Sequence, residues 1–230
     1  MSDRSPNPLA AMFMFSCAGI LFDLDGTLID SINAVDRAWA RWATRHGLDP
    51  AEVVPKIHGR RAQDSIRMLA PSPEIDLEAE QAWLENIEAS DTEGIVPIDS
   101  AMQFVSEIPL DRWCVVTSGA SPVAKARMNA VGLQPHCAVY GEDVEHGKPA
   151  PDPYLLGAKR LGFDPGDCLV FEDTAAGVRS GKSAGMKVIG VRGADTSVDL
   201  SEADAVISDY RFLTVEPKKD GLFVKFDSFQ

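Results

Sequence analysis

Two acid pairs and a hydroxyl pair each follow a short apolar run in this chain, and an isolated lysine stands between a glycine and a proline. In FDLDGTLIDS, Asp23 and Asp25 stand two apart after GILF, and Gly26 permits a sharp turn. Residues i and i+2 of a strand point to the same side, so these carboxylates repel one another unless a cation lies between them. A calcium loop would need Gly at its sixth position and Glu at its twelfth; counted from Asp23, those positions hold Leu28 and Ala34. A plain strand-end turn is the other reading, and the apolar strand before the pair and TLIDS after it weigh against that.

Three further clusters add to the first. In VVTSG, Thr117 and Ser118 end an apolar run before a turn and a helix, and hydroxyls beside helix N–H groups suit a phosphate oxygen; alone they also read as ordinary N-caps. In HGKPAPDPY, Lys148 lies between a glycine and a proline that opens a helix. There it can neutralise phosphate and carboxylate charge, although alone it also reads as a surface lysine. In VFEDTAAG, Glu172 and Asp173 are adjacent acids after a buried-looking run. Such acids are costly without a partner, and a metal is the natural one; a helix N-cap at Asp173 is the plainer alternative. Together the set offers a nucleophile, a phosphate cradle, a countercharge and hard oxygen ligands.

The elements that must position these groups are legible as alternation. Strands are predicted at 19–25, 113–118, 137–143, 168–173, 187–191 and 203–208, with near-continuous apolar character, as parallel strands covered on both faces require. Helical stretches ending in glycine lie between them. The fold class is therefore α/β, a doubly wound parallel sheet, and the C-terminal strand ends would lie on one edge.

One interval is too long. About 90 residues separate the first strand from the second, where one βα unit needs roughly 20–30. The surplus reads as helices, with Ile32, Val35, Trp39 and Trp42 on one stripe. The expected organisation is a flexible extension over 1–15, an α/β core over 16–30 and 97–230, and an inserted helical cap domain over 31–96. Trp39 and Trp42 are expected in the cap's own core. The tail around Asp220 and Gly221 reads as a closing hairpin.

The 230 residues carry a formal charge of −13, which argues against nucleic acid and anionic membranes as partners. Cys17, Cys114, Cys137 and Cys168 form no CxxC pair and read as buried free thiols in a reducing cytoplasm. The apolar run before Asp23 superficially resembles a signal peptide, but it leads directly into the acid-bearing strand and is too short to span a membrane. Translation from Met1, Met12 or Met14 is open.

In order and spacing, residues from Cys17 to about Ser208 resemble the haloacid dehalogenase superfamily of aspartate-nucleophile phosphatases. DLDGT, VVTSG, GKPAPDPY and FEDTAAGVRSGKSAG resemble its four motifs, and the insertion resembles its first type of cap. AVDRAWARWATRHGL, KIHGRRAQDSIR and VVTSGASPVAKAR resemble the bacterial sugar-phosphatase branch, related to yeast 2-deoxyglucose-6-phosphate and glycerol-phosphate phosphatases. The resemblance implies Asp23 as nucleophile and magnesium ligand, and Asp25 as acid and then base, its carbonyl also on the metal. It implies Ser118, less so Thr117, with Thr27 and Gly119, for the phosphoryl group, and Lys148 for charge balance. Asp173 would bind Mg2+, with Glu172 joining directly or through water. His58, Gly59, Arg60 and Arg61 align with the cap's substrate-specificity loop; a solvated basic turn is the plainer reading. The implied enzyme is a magnesium-dependent phosphatase acting on a small phosphorylated sugar or polyol, cytoplasmic and expected as a monomer.

Rivals share parts of this pattern. A β-phosphoglucomutase-like enzyme would carry a hinge histidine where this chain has Val35, and a cap lysine where it has His58. A phospho-receiver or binding module would lack a cap of this size. A dehalogenase would leave Asp25, Glu172 and Asp173 without a role.

Overall fold

The fold is described from a computed structural model of the chain, over residues 12–72, 74–193 and 198–227. The chain enters through β1 (Met12–Cys17) and β2 (Gly19–Phe22), and β3 (Ile29–Asp30) leads into four helices. These are α1 (Ile32–Arg45), α2 (Pro50–Val53), α3 (Ala62–Leu69) and α4 (Leu77–Ser90), and β4 (Val96–Pro97) pairs back antiparallel to β3. Then follow α5 (Ala101–Ser106), β5 (Trp113–Val116), α6 (Ser121–Ala130), β6 (Ala138–Val139), α7 (Asp152–Leu161), β7 (Cys168–Glu172) and α8 (Ala175–Ser183). The chain continues through β8 (Lys187–Val191), β9 (Ala205–Ile207), β10 (Thr214–Lys218) and β11 (Gly221–Asp227).

The main sheet runs β6-β5-β2-β7-β8-β9, with every pair parallel. From the central β2 the chain builds outward to one side and then, at β7, to the other. The strand order therefore reverses beside β2, and open α/β sheets place their ligand crevice at that point. Strand parity explains the continuous apolar runs. Ile20, Phe22, Val115, Leu169 and Phe171 enter one buried cluster, whereas Leu21, Cys114, Val116, Cys168 and Val170 enter the cluster on the opposite face. Phe22 stacks on Phe171 across the two central strands.

A third cluster lies among the inserted helices and contains Ala38, Trp39, Trp42, Ile57, Ile66 and Leu84. The Trp stripe thus packs as apolar core, and the Trp42 indole N–H donates to the Glu80 carboxylate at 3.1 Å, which satisfies its buried polar tip.

Two sequence expectations change here. Residues 12–15, assigned to a flexible extension, belong to β1, which pairs antiparallel with β11 from Met12 opposite Asp227 to Cys17 opposite Leu222. The unsatisfied backbone of that segment finds its partners some two hundred residues away, a pairing no local pattern displays. The strand expected over 19–25 also stops at Phe22 rather than Asp25, because the Leu24 carbonyl turns to accept from the N–H groups of Leu28 and Ile29. The hairpin β10–β11 forms at the expected turn. No helix among the described residues is long and apolar enough to cross a membrane.

Candidate active site

Asp23 follows β2, Thr117 and Ser118 follow β5, and Glu172 ends β7 with Asp173 just after it, so three adjacent parallel strands deliver their polar residues to one edge. Lys148 arrives from the loop before α7. Its ammonium donates to Asp23 Oδ1 at 2.5 Å, Glu172 Oε1 at 2.5 Å and the Val116 carbonyl at 3.0 Å. Its side chain is 1 % exposed. Glu172 is saturated: Oε1 also accepts from the Tyr154 hydroxyl at 3.0 Å, and Oε2 accepts from the backbone and hydroxyl of Thr174, both at 3.0 Å.

Asp173, which is half-buried, approaches the first acid pair across the turn. Gly26 makes that approach possible. It sits at φ +86, and a Cβ there would stand 2.1 Å from Asp173 Oδ2, so both conformation and space require glycine. The Thr27 hydroxyl donates to Asp173 Oδ1 at 3.3 Å.

The electrostatics follow from crowding. Asp23, Glu172 and Asp173 each present an oxygen within 4.8 Å of the others, and Lys148 supplies one positive charge to this group. Burial, opposed by Lys148 and reinforced by Glu172, pushes the Asp23 carboxyl up to about 7. Asp173 is raised well above the carboxylate range, first by burial and then by the charges of Asp23 and Glu172. Burial would depress the Lys148 ammonium, but Asp23 and Glu172 outweigh it and hold it above its ordinary value. Hard carboxylate oxygens with surplus negative charge fit a divalent cation of the magnesium type.

A cavity of about 620 Å³ lies between the sheet edge and the inserted helices. Asp23, Asp25, Thr117, Ser118, Gly119 and Asp173 line its sheet side, and His58, Gly59 and Arg60 line its opposite wall. His58 pairs with Asp36 at 3.2 Å. The 58–61 loop touches the core closely. Gly59, at φ +74, would place a Cβ 2.9 Å from the Thr174 side chain, and its carbonyl accepts from Ser118 Oγ at 3.3 Å.

Three of the expected site residues take partners within the protein. Thr27 is fully buried, and its hydroxyl serves Asp173 instead of lining the cavity. Arg61 lies outside the cavity lining; its guanidinium pairs with Asp64 at 2.7 Å and donates to the Val144 and Glu145 carbonyls, both at 3.1 Å. It therefore pins the cap loop to the loop that precedes Lys148. Between the two hydroxyls, Ser118 donates to Gly59, whereas Thr117 Oγ1 accepts from the Gly119 N–H at 3.0 Å.

Arg127 was missed. It lies in the helix after VVTSG as one more arginine of a helical stretch, yet it is 3 % exposed and ion-paired to Asp25 at 3.0 Å and to Glu88 at 2.9 Å. Its only sequence signal is its position on the buried face of α6, beside Val123, Ala124 and Met128.

Residues 17–185 match the family model described as haloacid dehalogenase-like hydrolase. Hexitol phosphatase A of Escherichia coli (strain K12) is 47 % identical over 212 residues, covering 89 % of this chain and 97 % of that protein. 2-Deoxyglucose-6-phosphate phosphatase 1 of Saccharomyces cerevisiae is 28 % identical over 94 % of this chain and 98 % of its own length. Among solved structures, β-phosphoglucomutase from Clostridium difficile superposes with a TM-score of 0.72 at 21 % identity, over 84 % of this chain and 91 % of that one; at that identity the likeness speaks to the fold.

Proposed function

The chain belongs to the haloacid dehalogenase-like hydrolases, and on that premise we propose that it is a magnesium-dependent phosphatase that hydrolyses hexitol or related sugar phosphates through an aspartyl-phosphate on Asp23. The observation that carries this reading is the buried Lys148 ammonium, 2.5 Å from both Asp23 and Glu172, with Asp173 alongside. That arrangement holds one carboxylate at the floor of a cavity among groups suited to a phosphate and a cation. The names of the relatives support the substrate class.

Asp23, Asp173 and the Asp25 carbonyl would hold the magnesium ion; Glu172, whose four acceptor positions are taken by Lys148, Tyr154 and Thr174, would join directly or through water on releasing one of them. Bound there, the ion would supply Lewis-acid neutralisation of phosphoryl charge. Asp23 attacks phosphorus while Asp25 gives a proton to the departing sugar oxygen; Asp25 then takes a proton from the water that cleaves the aspartyl-phosphate. Lys148 favours the ionised form of Asp23 against burial and offsets equatorial oxygen charge. The Thr117 hydroxyl and the N–H groups at the start of α6 orient the phosphoryl group. The cap over 31–96 encloses the reaction, and His58, Arg60, Asp36 and Glu85 offer polar contacts to hydroxyl groups of the leaving alcohol.

The test is a panel of hexitol, hexose, pentose and glycerol phosphates assayed for free phosphate with Mg2+ and after exhaustive chelation. Release from hexitol or hexose phosphates that disappears with the metal is expected. Undiminished turnover without metal, or a glucose-1,6-bisphosphate requirement with no free phosphate, would sink the reading; the second outcome would favour a mutase.

A further inference from the structure

The acid–base group of the proposed reaction does not stand alone. Asp25 Oδ1 accepts from Ser31 Oγ at 2.5 Å and is paired with Arg127 Nη1 at 3.0 Å. Among the described residues, no hydrogen bond to Oδ2 is formed. The second terminal nitrogen of Arg127 donates to Glu88 Oε1 at 2.9 Å. Arg127 sits on α6, which packs on the sheet, and Glu88 on α4 of the inserted helices. Both are almost completely buried.

This division is not how arginine simply anchors a carboxylate. Plain anchoring favours a bidentate fork that uses both oxygens of one acid. Here each carboxylate receives one nitrogen, so Asp25 is held by one oxygen and keeps the other available. Asp25, Arg127 and Glu88 all line the same cavity.

We propose that Arg127 is a positioning residue for proton transfer: it anchors Asp25 through Oδ1, reserves Oδ2 as the oxygen that gives and takes the proton, and through Glu88 makes that arrangement depend on the seating of the cap helices. In the first step the Oδ2 proton passes to the leaving oxygen as the phosphorus–oxygen bond to the alcohol breaks and the bond to Asp23 forms. In the second, a water proton passes to Oδ2 as the water oxygen bonds phosphorus and the bond to Asp23 breaks. With cap and core apart, Arg127 loses Glu88 and its geometry toward Asp25 is no longer constrained from both sides. The inference rests on the reading of Asp25 as acid and base.

The experiment compares kcat/KM for glucitol 6-phosphate, whose alcohol needs a proton to leave, with that for p-nitrophenyl phosphate, whose phenolate does not. This parameter covers events up to leaving-group departure. Arg127→Gln is expected to lose about 10²-fold on the alkyl phosphate and under about 5-fold on the aryl phosphate, within the usual span of general acid catalysis. Because Arg127→Gln leaves Glu88 buried without its partner, the double variant Arg127→Met/Glu88→Leu, which removes both charges, is measured beside it. The same selective loss is expected there. Equal losses on both substrates, or recovery of alkyl-phosphate turnover in the double variant, overturn the inference and leave a purely structural ion pair. Asp25→Asn, run in parallel, separates the layers. If it is selective and the Arg127 variants are not, only the role of Arg127 fails. If it too is unselective, the acid reading of Asp25 fails with it.

Discussion

The Lys148 ammonium lies 2.5 Å from Asp23 Oδ1 and 2.5 Å from Glu172 Oε1, so one buried cation links the C-terminal ends of the neighbouring strands β2 and β7. Both Lys148 and Glu172 are 1 % exposed at the side chain. Removing one member of such a pair leaves an uncompensated charge, at a cost of about 3–5 kcal/mol. Lys148→Met is therefore expected to lower the unfolding temperature and to reduce phosphate release by about 10²–10³-fold, the range seen when one electrostatic donor is lost. Thermal melts with and without Mg2+ check the first part, and a variant as stable as the wild type would contradict it.

Asp23→Asn retains the size of the side chain but not the nucleophile. It is expected to abolish phosphate release while preserving the fold, read by a melt and by circular dichroism. A residual rate within tenfold of wild type would rule out Asp23 as the group that becomes phosphorylated.

Metal binding is expected to depend on pH with a definite sign. Burial favours the neutral acid and pushes Asp23 up to about 7, whereas a cation requires the carboxylate. Below that value the metal must displace a proton, so Mg2+ affinity falls as the pH drops, by up to about tenfold per unit for each proton displaced. Calorimetric titration with Mg2+ in buffers of different ionisation enthalpy measures the exchange. Proton release should be larger at pH 6 than at pH 8; equal release at both would contradict the assignment.

The 58–61 loop offers two contrasting substitutions. Gly59→Ala places a methyl group 2.9 Å from Thr174 at a backbone φ of +74, a conformation that costs a non-glycine residue about 1–2 kcal/mol. Arg61→Ala removes the donors to the Val144 and Glu145 carbonyls without touching the cavity. Gly59→Ala is expected to lower kcat and raise KM together. Arg61→Ala is expected to act chiefly by loosening the cap, visible as faster amide hydrogen exchange across α3. Unchanged exchange in Arg61→Ala would show that the loop is held by other contacts.

The central sheet and the polar residues at its edge were open to reading because both have short-range signatures. An apolar run bounded by acids and a turn reports its own burial and its own end, as in GILFDLDG and CLVFEDT. Repeating that unit at βα spacing sets the fold class, and the fold class brings strand ends to one edge. The inserted helices announced themselves through the excess interval and the Trp39/Trp42 stripe, which packs as apolar core.

Other features were decided by contacts between distant segments. Met12–Cys17 carries no alternation that distinguishes a strand from a tail; its partner β11 makes it one. Thr27 and Arg61 have the chemistry of phosphate or sugar ligands, but one hydroxyl turns to Asp173 and one guanidinium to backbone carbonyls beyond residue 143. Thr117 and Ser118 are adjacent and chemically similar, and only the cap loop, by engaging Ser118, separates them. Arg127 gained its place from Asp25 and Glu88, which lie 102 and 39 residues before it. Residue types and spacing therefore specified which acids and hydroxyls the strand ends bring to one edge, because strand ends and turns are local events. Packing of the cap on the sheet settled where each side chain pointed and which partner it took, because those outcomes depend on surfaces that meet only in the folded chain.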